Sequence, residues 1–173
     1  MIDPIVAIVG SSNSGKTTLI EKLVNHFNQA NCNVSVIKHT HHDFEMDQDE
    51  KDTFKIKKAG AGSVAITNDQ KLAIISDLQV SVSPMELARN FLKFGSDFVL
   101  VEGFKDHDIP KIEVCDKQWE NSLTHKGMDN VVALITDSYV DEEEIDLPVF
   151  KRNDIESVVE FLEMEFMVQP TKK

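Results

Sequence analysis

The sequence predicts a three-layer α/β fold in which a mostly parallel sheet carries helices on both faces and a β-hairpin is inserted. Short apolar runs typical of buried strands alternate with segments whose apolar residues recur at helical spacing. A glycine-rich segment joins the first apolar run to the first helix, and two short strand-like segments flank Asn68-Asp69. The 173 residues suit one domain over residues 1–168, with a flexible polar tail at residues 169–173.

The individual elements follow from local patterns. Ile5–Val9 is uninterrupted and apolar, as expected of a strand buried on both faces. The next segment is predicted to be a helix because its apolar residues share one face: Leu19, Ile20, Leu23, Val24 and Phe27. Further strands are predicted at Val34–Ile37, Ser63–Thr67, Lys71–Asp77, Phe98–Val101, Lys111–Val114, Val131–Thr136 and Pro148–Phe150.

Three more helices complete the prediction. A short one follows the charged segment from Phe44 and stops at residues 59–62. Ser83-Pro84-Met85-Glu86 forms a capping box with proline at the first helical position, which predicts a helix that ends at Gly95. The last helix starts near Asn153 and carries one apolar stripe: Ile155, Val158, Val159, Leu162 and Phe166.

Residues 10–17 read Gly-Ser-Ser-Asn-Ser-Gly-Lys-Thr, which completes the phosphate-binding pattern G-x-x-x-x-G-K-[ST] between a strand and a helix. The two glycines let the backbone amides approach an anion, and Lys16 supplies charge to the β and γ oxygens. Thr17 offers a hydroxyl to Mg²⁺ and Thr18 a second hydroxyl to the phosphates. A glycine turn that merely caps a helix would not require lysine and threonine at these positions. The predicted nucleotide contacts are Gly10, Ser11, Ser12, Asn13, Ser14, Gly15, Lys16, Thr17 and Thr18.

A phosphate-binding loop needs a carboxylate that reaches the magnesium shell from the end of a neighbouring strand. Glu102 follows four apolar residues and fits that position, although a strand-end carboxylate can also be an ordinary solvated charge. Gly103 follows it, and its missing side chain would let backbone approach a γ-phosphate.

The segment after the second strand holds three histidines and two aspartates: His39, His41, His42, Asp43 and Asp47. Histidine and carboxylate groups ligate metals, but His41 and His42 point to opposite faces of an extended segment, and such a loop can simply be polar. Because Mg²⁺ prefers oxygen ligands, Asp43 and Asp47 are the better candidates for a magnesium-shell or water-positioning role.

The base that this loop would select is less clear from the residues. The guanine-reading pattern N-K-x-D is absent. Asp137 follows an apolar strand, where a carboxylate could accept hydrogen bonds from the N1 and N2 donors of guanine. A strand-end aspartate is also a common turn residue, so both interpretations stay open.

Composition excludes several classes of protein. A net charge of −12 argues against a nucleic-acid partner, because phosphate backbones are bound by clustered lysine and arginine. With two arginines, Arg89 and Arg152, the chain has few candidates for an arginine finger, which predicts slow turnover. Cys32 and Cys115 match no zinc or redox spacing. We expect a cytoplasmic protein without a signal peptide or membrane span.

These residues together resemble a known family. The segments that carry the resemblance are residues 10–18, 39–47, 51–53, 59–61, 101–105 and 110–113. They are similar to MobB, the GTP-binding adaptor of bacterial molybdenum-cofactor biosynthesis, from the first strand to about Val114 and more loosely near Asp137. Glu50 departs from the family, which tends to have glycine at that position, and this affects only the conformation expected of the local loop.

The resemblance implies a P-loop NTPase-type fold, a homodimer, weak GTPase activity, and GTP and Mg²⁺ as cofactors. It implies a role beside a MobA-type guanylyltransferase and other molybdenum-cofactor proteins, and it leaves open direct binding of molybdopterin guanine dinucleotide. By position, Lys16, Asp43 and Glu102 are the predicted catalytic residues. Thr17, Asp43, Asp47 and Glu102 would serve the metal, and Gly103 would face the γ-phosphate. Asp137 stays the candidate nucleotide contact because of its place after the apolar strand.

Two other functions compete with this one. A small-molecule kinase would use the same loop, but such enzymes usually close an arginine-rich lid, which two arginines can hardly build. A metallochaperone GTPase would use the histidine cluster for nickel.

Overall fold

The computed structural model describes residues 4–40, 42–44, 51–116, 122, 124, 126–141 and 145–167. The elements found there are, in chain order, β1 (Ile5–Val9), α1 (Lys16–Gln29), β2 (Val34–Lys38), α2 (Asp52–Lys58), β3 (Ser63–Thr67), β4 (Leu72–Ser76), α3 (Pro84–Lys93), β5 (Phe98–Glu102), β6 (Lys111–Val114), β7 (Val131–Ile135), β8 (Val149–Phe150) and α4 (Ile155–Phe166).

The chain divides into two compact units. The larger unit combines Met1–His39 with Ser83–Lys173, and the smaller one is Thr40–Val82. The assignment of residues 1–168 to one domain therefore stays a prediction. The tail predicted at residues 169–173 lies outside the described residues.

The larger unit contains a six-stranded sheet in the order β2-β5-β1-β6-β7-β8. Every neighbouring pair in this sheet is parallel. The carboxyl ends of all six strands therefore lie along one edge, and β1 stands between β5 and β6. Loops that leave this edge are where ligands bind in open α/β sheets.

Both faces of the sheet are buried, which explains the apolar strand sequences. Alternate residues of β1 point to opposite faces. Val6 and Ile8 belong to a core with α1 and α4, whereas Ile5, Ala7 and Val9 belong to a core with α3. The predicted sheet with helices on both faces is confirmed.

Two strands are longer than the sequence predicts. β2 extends to Lys38 and β5 to Glu102, and these two residues stand opposite each other in the parallel register. The charged ends of both strands are thus paired within the sheet instead of starting a loop.

The capping box of α3 is confirmed. The Glu86 amide donates to Ser83 Oγ at 3.2 Å, and the Ser83 amide donates to Glu86 Oε2 at 3.0 Å. The hydrogen bonds that the Ser83 amide and the Ser83 hydroxyl donate to the Glu86 carboxylate lower the pKa of that carboxyl below its ordinary value. No helix in the described ranges is long and apolar enough to cross a membrane.

The smaller unit contains α2 and the predicted hairpin, in which β3 and β4 pair antiparallel. Asn68 Oδ1 accepts hydrogen bonds from the amides of Gln70 and Lys71 and so closes the turn between β3 and β4. The β3–β4 sheet leaves large apolar side chains exposed: Ile66 at 60%, Leu72 at 50% and Ile74 at 61%.

Candidate phosphate-binding site

The loop between β1 and α1 lies at the carboxyl edge of the sheet and requires glycine at its start. Gly10 has a φ of 146°, and a Cβ atom there would lie 2.4 Å from the Val114 carbonyl oxygen at the end of β6. Gly15 precedes α1 with a φ of 94° and provides no side-chain cap. The Val114 backbone and the Ser14 hydroxyl therefore fill the space around Gly10, and the first amides of α1 are left for an anion.

Lys16 places its ammonium group inside this loop. Its Nζ donates to the carbonyl oxygens of Ser11 at 2.6 Å and Gly10 at 3.4 Å. Partial burial lowers the pKa of Lys16 below the ordinary lysine value, the charge of Glu102 opposes that shift, and Lys105 and Lys38 add to it. An anion in the loop would stabilise the charged form of this group.

Thr17 and Glu102, which the sequence assigns to the metal, lie within hydrogen-bond distance of each other. Thr17 Oγ1 lies 3.2 Å from Oε1 and 3.1 Å from Oε2 of Glu102, whose side chain is 12% exposed. Lys38 Nζ lies 3.2 Å from Glu102 Oε1. A hydroxyl and a carboxylate at the mouth of the loop form an oxygen donor pair that suits Mg²⁺, which keeps few protein ligands and takes the rest from phosphate and water.

The chain turns sharply after Glu102. Gly103 and Phe104 both have positive φ angles, 100° and 56°. A Cβ atom at Gly103 would lie 3.3 Å from the His39 carbonyl oxygen, and the His39 ring stacks on Phe104 with centroids 4.3 Å apart. The glycine thus allows the ends of β2 and β5 to approach each other beside the loop.

Asp116 and Lys38 are site residues that the sequence interpretation missed. Ser11 Oγ donates to Asp116 Oδ1 at 3.0 Å, just after β6. Both missed residues stand at or just beyond strand ends, as Glu102 does. The same strand-end reasoning, applied to β2 and β6, could have found them.

Arg152 is a third missed residue, and it connects the loop with Asp137. Its Nη1 donates to the Ser14 carbonyl oxygen at 2.5 Å. Its amide donates to Asp137 Oδ1 at 3.2 Å, and its Nε lies 3.7 Å from Asp137 Oδ2. No local pattern in the sequence signals this contact. Asp137 is 60% exposed and lies at the carboxyl edge of β7, as the sequence predicts.

The remaining predicted residues are placed as follows. Ser12, Asn13 and Thr18 are exposed on or next to the loop, and Ser14 is buried. Asp43 is exposed and belongs to the smaller unit, while His41 and Asp47 lie outside the described residues. In the part of the chain that the structure describes, no three His, Cys, Asp or Glu side chains converge on a metal position. The roles of Asp43 and Asp47 stay predictions.

Comparison with known proteins decides the family. A family model described as molybdopterin guanine dinucleotide synthesis protein B, MobB, matches residues 5–137. The chain belongs to the MobB family. A molybdopterin-guanine dinucleotide biosynthesis adapter protein of Haemophilus influenzae is 38% identical over 160 residues, which cover 92% of this chain and 88% of that protein. The Escherichia coli adapter protein is 29% identical over 172 residues, 92% and 91% of the two chains.

Solved MobB structures share the fold. The crystal structure of Bacillus subtilis MobB matches with a TM-score of 0.78 at 25% identity and covers 96% of this chain and 99% of its own. A crystal structure of a molybdopterin-guanine biosynthesis protein B matches with a TM-score of 0.72 at 28% identity, covering 92% and 98%. The predicted resemblance and fold class are both confirmed.

Gly10→Ala tests the packing of the loop. The added methyl group would overlap the Val114 carbonyl, so we expect a loss of about 1–3 kcal/mol in the free energy of unfolding. Gly62→Ala is the matched control, because open space surrounds that position and its φ lies outside the left-handed region. Urea unfolding of both variants measures the difference, and equal midpoints would contradict this account of the loop.

Proposed function

We propose that this MobB-family protein is a GTP-binding adaptor with weak GTPase activity that acts in molybdopterin guanine dinucleotide biosynthesis and delivery. The observation that carries the proposal is the meeting of Thr17 with Glu102 at the mouth of a complete phosphate-binding loop. A hydroxyl and a carboxylate at this place suit the magnesium ion of a nucleoside triphosphate.

The chain's own residues divide the binding task between them. The loop amides and the N-terminus of α1 receive the phosphates, and Lys16 adds a positive charge within the loop. Thr17 and Glu102 would hold Mg²⁺, which neutralises charge on the β- and γ-phosphates when bound. Gly103 keeps side-chain atoms away from the γ-phosphate end of the site. Asp43 and Asp47 remain the proposed magnesium-shell or water-positioning residues.

The small number of arginine side chains available at the site fits slow hydrolysis of GTP. Arg152 is engaged with the Ser14 carbonyl and Asp137, and Arg89 is exposed on α3. The charge that develops in a phosphoryl-transfer transition state is therefore met by Lys16 instead of an arginine finger. This favours a nucleotide-dependent adaptor over a fast enzyme such as a small-molecule kinase.

Asp137 is the proposed guanine-reading residue. The triphosphate end of the site faces Glu102 on β5, so the nucleoside end points toward β7 and β8 on the other side of β1. A cavity of about 260 Å³ lies there, between the start of α1 and the segment after β8. Its lining includes Gly15, Thr18, Lys22, Arg152 and Asn153. The Asp137 carboxylate stands beside Arg152 and is sufficiently exposed to accept from guanine N1 and N2.

The adaptor role rests on family membership. Relatives over most of this chain's length are named adapter proteins of molybdopterin-guanine dinucleotide biosynthesis. We propose the same role here, beside a MobA-type guanylyltransferase and other molybdenum-cofactor proteins. Nucleotide state would alter the adaptor surface that these partners contact.

A homodimer is part of the proposal. Leu72 and Ile74 lie on the same face of the two-stranded sheet and are both at least half exposed. Exposed apolar patches of this kind commonly mark interfaces between protein chains. A second copy of the chain would bury this face.

Nucleotide-dependent stabilisation tests the GTP assignment. With Mg²⁺ and GTP at about a hundred times Kd, linkage predicts about 2.7 kcal/mol, a rise in Tm of about 5–10 °C. Lys16→Ala should lose most of this rise, whereas Lys93→Ala, an exposed lysine on α3, should keep it. A larger rise with ATP than with GTP, or an undiminished rise in Lys16→Ala, would refute the assignment.

Asp137→Asn tests the reading of the base. The carboxylate accepts from guanine N1 and N2, whereas an asparagine amide can donate to the 2-oxo group of xanthine. We expect GTP affinity to fall about 10- to 100-fold and XTP affinity to rise. Asp116→Asn is the control, since Asp116 contacts Ser11 after β6. Titration with both nucleotides measures the ratio, and an unchanged ratio would exclude Asp137 as the reader.

Ile74→Lys tests the proposed dimer face. Burying a lysine at the position of an apolar side chain costs more than about 1.4 kcal/mol, so the dimer Kd should rise at least about tenfold. Met164→Lys places the same charge on an exposed apolar position of α4 and should leave the Kd unchanged. Sedimentation equilibrium measures both, and equal Kd values would place the interface elsewhere.

A further inference from the structure

Arg152 contacts the phosphate-binding loop, although it lies outside the sequence motif of residues 10–17 that defines this loop. It follows β8 and reaches back over 138 residues of sequence to the Ser14 carbonyl, to which its Nη1 donates at 2.5 Å. The same nitrogen lies 3.0 Å from the position that a Cβ atom on Gly15 would occupy. The guanidinium therefore packs directly against the Ser14–Gly15 peptide.

Arg152 is held in this position from its other end. The Arg152 amide donates to Asp137 Oδ1, and Nε lies 3.7 Å from Asp137 Oδ2. The backbone nearby is fixed by the sheet, because the Thr136 amide donates to the Phe150 carbonyl oxygen at 2.9 Å. Arg152 thus links the ends of β7 and β8 to the loop after β1.

The orientation of the Ser14–Gly15 peptide follows from this contact. No cis peptide bond occurs among the described residues, and in a trans peptide the carbonyl and the following N–H point in opposite directions. Because the Ser14 carbonyl points at Arg152, the Gly15 N–H points away from it. Amides of such loops serve an anion when they point to the side where the phosphates lie.

The electrostatics of this arrangement favour an anion nearby. Arg152 lies beside the N-terminus of α1 and two residues before Asp154, the N-cap of α4. Helix N-termini carry partial positive charge, so a cation there is unfavourable unless a negative group compensates it. In addition, Arg152 Nη2 is buried without a hydrogen-bond partner among the described residues. Asp137 supplies part of the compensation, and a bound phosphate would supply the rest.

We propose that Arg152 is a positioning residue of the phosphate-binding loop, whose guanidinium holds the Ser14–Gly15 peptide so that the Gly15 N–H faces the nucleotide phosphates. This inference rests on the proposed nucleotide binding and adds to it a residue outside the motif. Since these loop amides serve the phosphates that GDP and GTP share, Arg152 supports both nucleotides equally. It does not select the base.

Titration of the protein with Mg²⁺ and GDP or GTP tests this role. A hydrogen bond that involves a charged group contributes about 1.5–3 kcal/mol, so Arg152→Ala should lose about 10- to 100-fold in affinity for both nucleotides. The ratio of GTP to GDP affinity should stay unchanged. Arg152→Lys keeps one donor and should recover part of the loss, and Arg89→Ala, the other arginine, should have no effect.

Two measurements distinguish a positioning role of Arg152 from a general contribution of this side chain to the stability of the protein. Free guanidinium at millimolar concentration should partly restore GDP binding to Arg152→Ala, because it can occupy the space that the side chain leaves. The amide proton resonance of Gly15 should shift on GDP binding in the unsubstituted chain and shift less in Arg152→Ala. A variant that is merely less stable would show neither effect once it is folded.

The outcomes are distinguishable. Unchanged affinity of Arg152→Ala for both nucleotides would overturn the positioning role and leave the proposed function intact. A loss confined to GTP would place Arg152 at the γ-phosphate and would overturn the inference. If the unsubstituted chain binds no nucleotide, the proposed function fails and the inference fails with it.

Discussion

The parallel pairing of β1 with β5 on one side and β6 on the other is the interaction on which the rest of the site depends. It brings the carboxyl ends of three strands together, so that the loop after β1 has Glu102 on one side and Asp116 on the other. The same pairing packs Gly10 against the Val114 carbonyl. The path of the loop is thus set by the backbone of its neighbours, and a side chain at Gly10 would push them apart.

Positively charged side chains cluster around the loop, although the whole chain is acidic. The protein carries a net charge of −12, yet Lys16, Lys38 and Arg152 gather where the N-terminus of α1 already favours an anion. Lys38 is paired with Glu102, and Arg152 with Asp137. Each of these two carboxylates therefore balances a cation at the edge of the sheet where the loop lies.

The parts of the site that can be predicted from the sequence are those that a short, contiguous stretch of residues specifies. The loop is recognised because its glycines, lysine and threonine are neighbours in sequence and serve one anion. Glu102 is predictable because an apolar run marks a buried parallel strand, whose end must lie at the ligand edge. The capping box of α3 is predictable because its two hydrogen bonds join residues three positions apart.

The order of strands and helices, the phosphate-binding loop and the family can be read from the amino-acid sequence alone, because each depends on periodicity or on contiguous residues. Which strand-end side chains meet depends on how the strands are arranged in the folded sheet. Asp116 contacts Ser11 across 105 residues and Arg152 contacts Ser14 across 138, and both contacts require the order β2-β5-β1-β6-β7-β8. No local pattern encodes that order, because the pairing of strands depends on how the helices pack on both faces of the whole sheet.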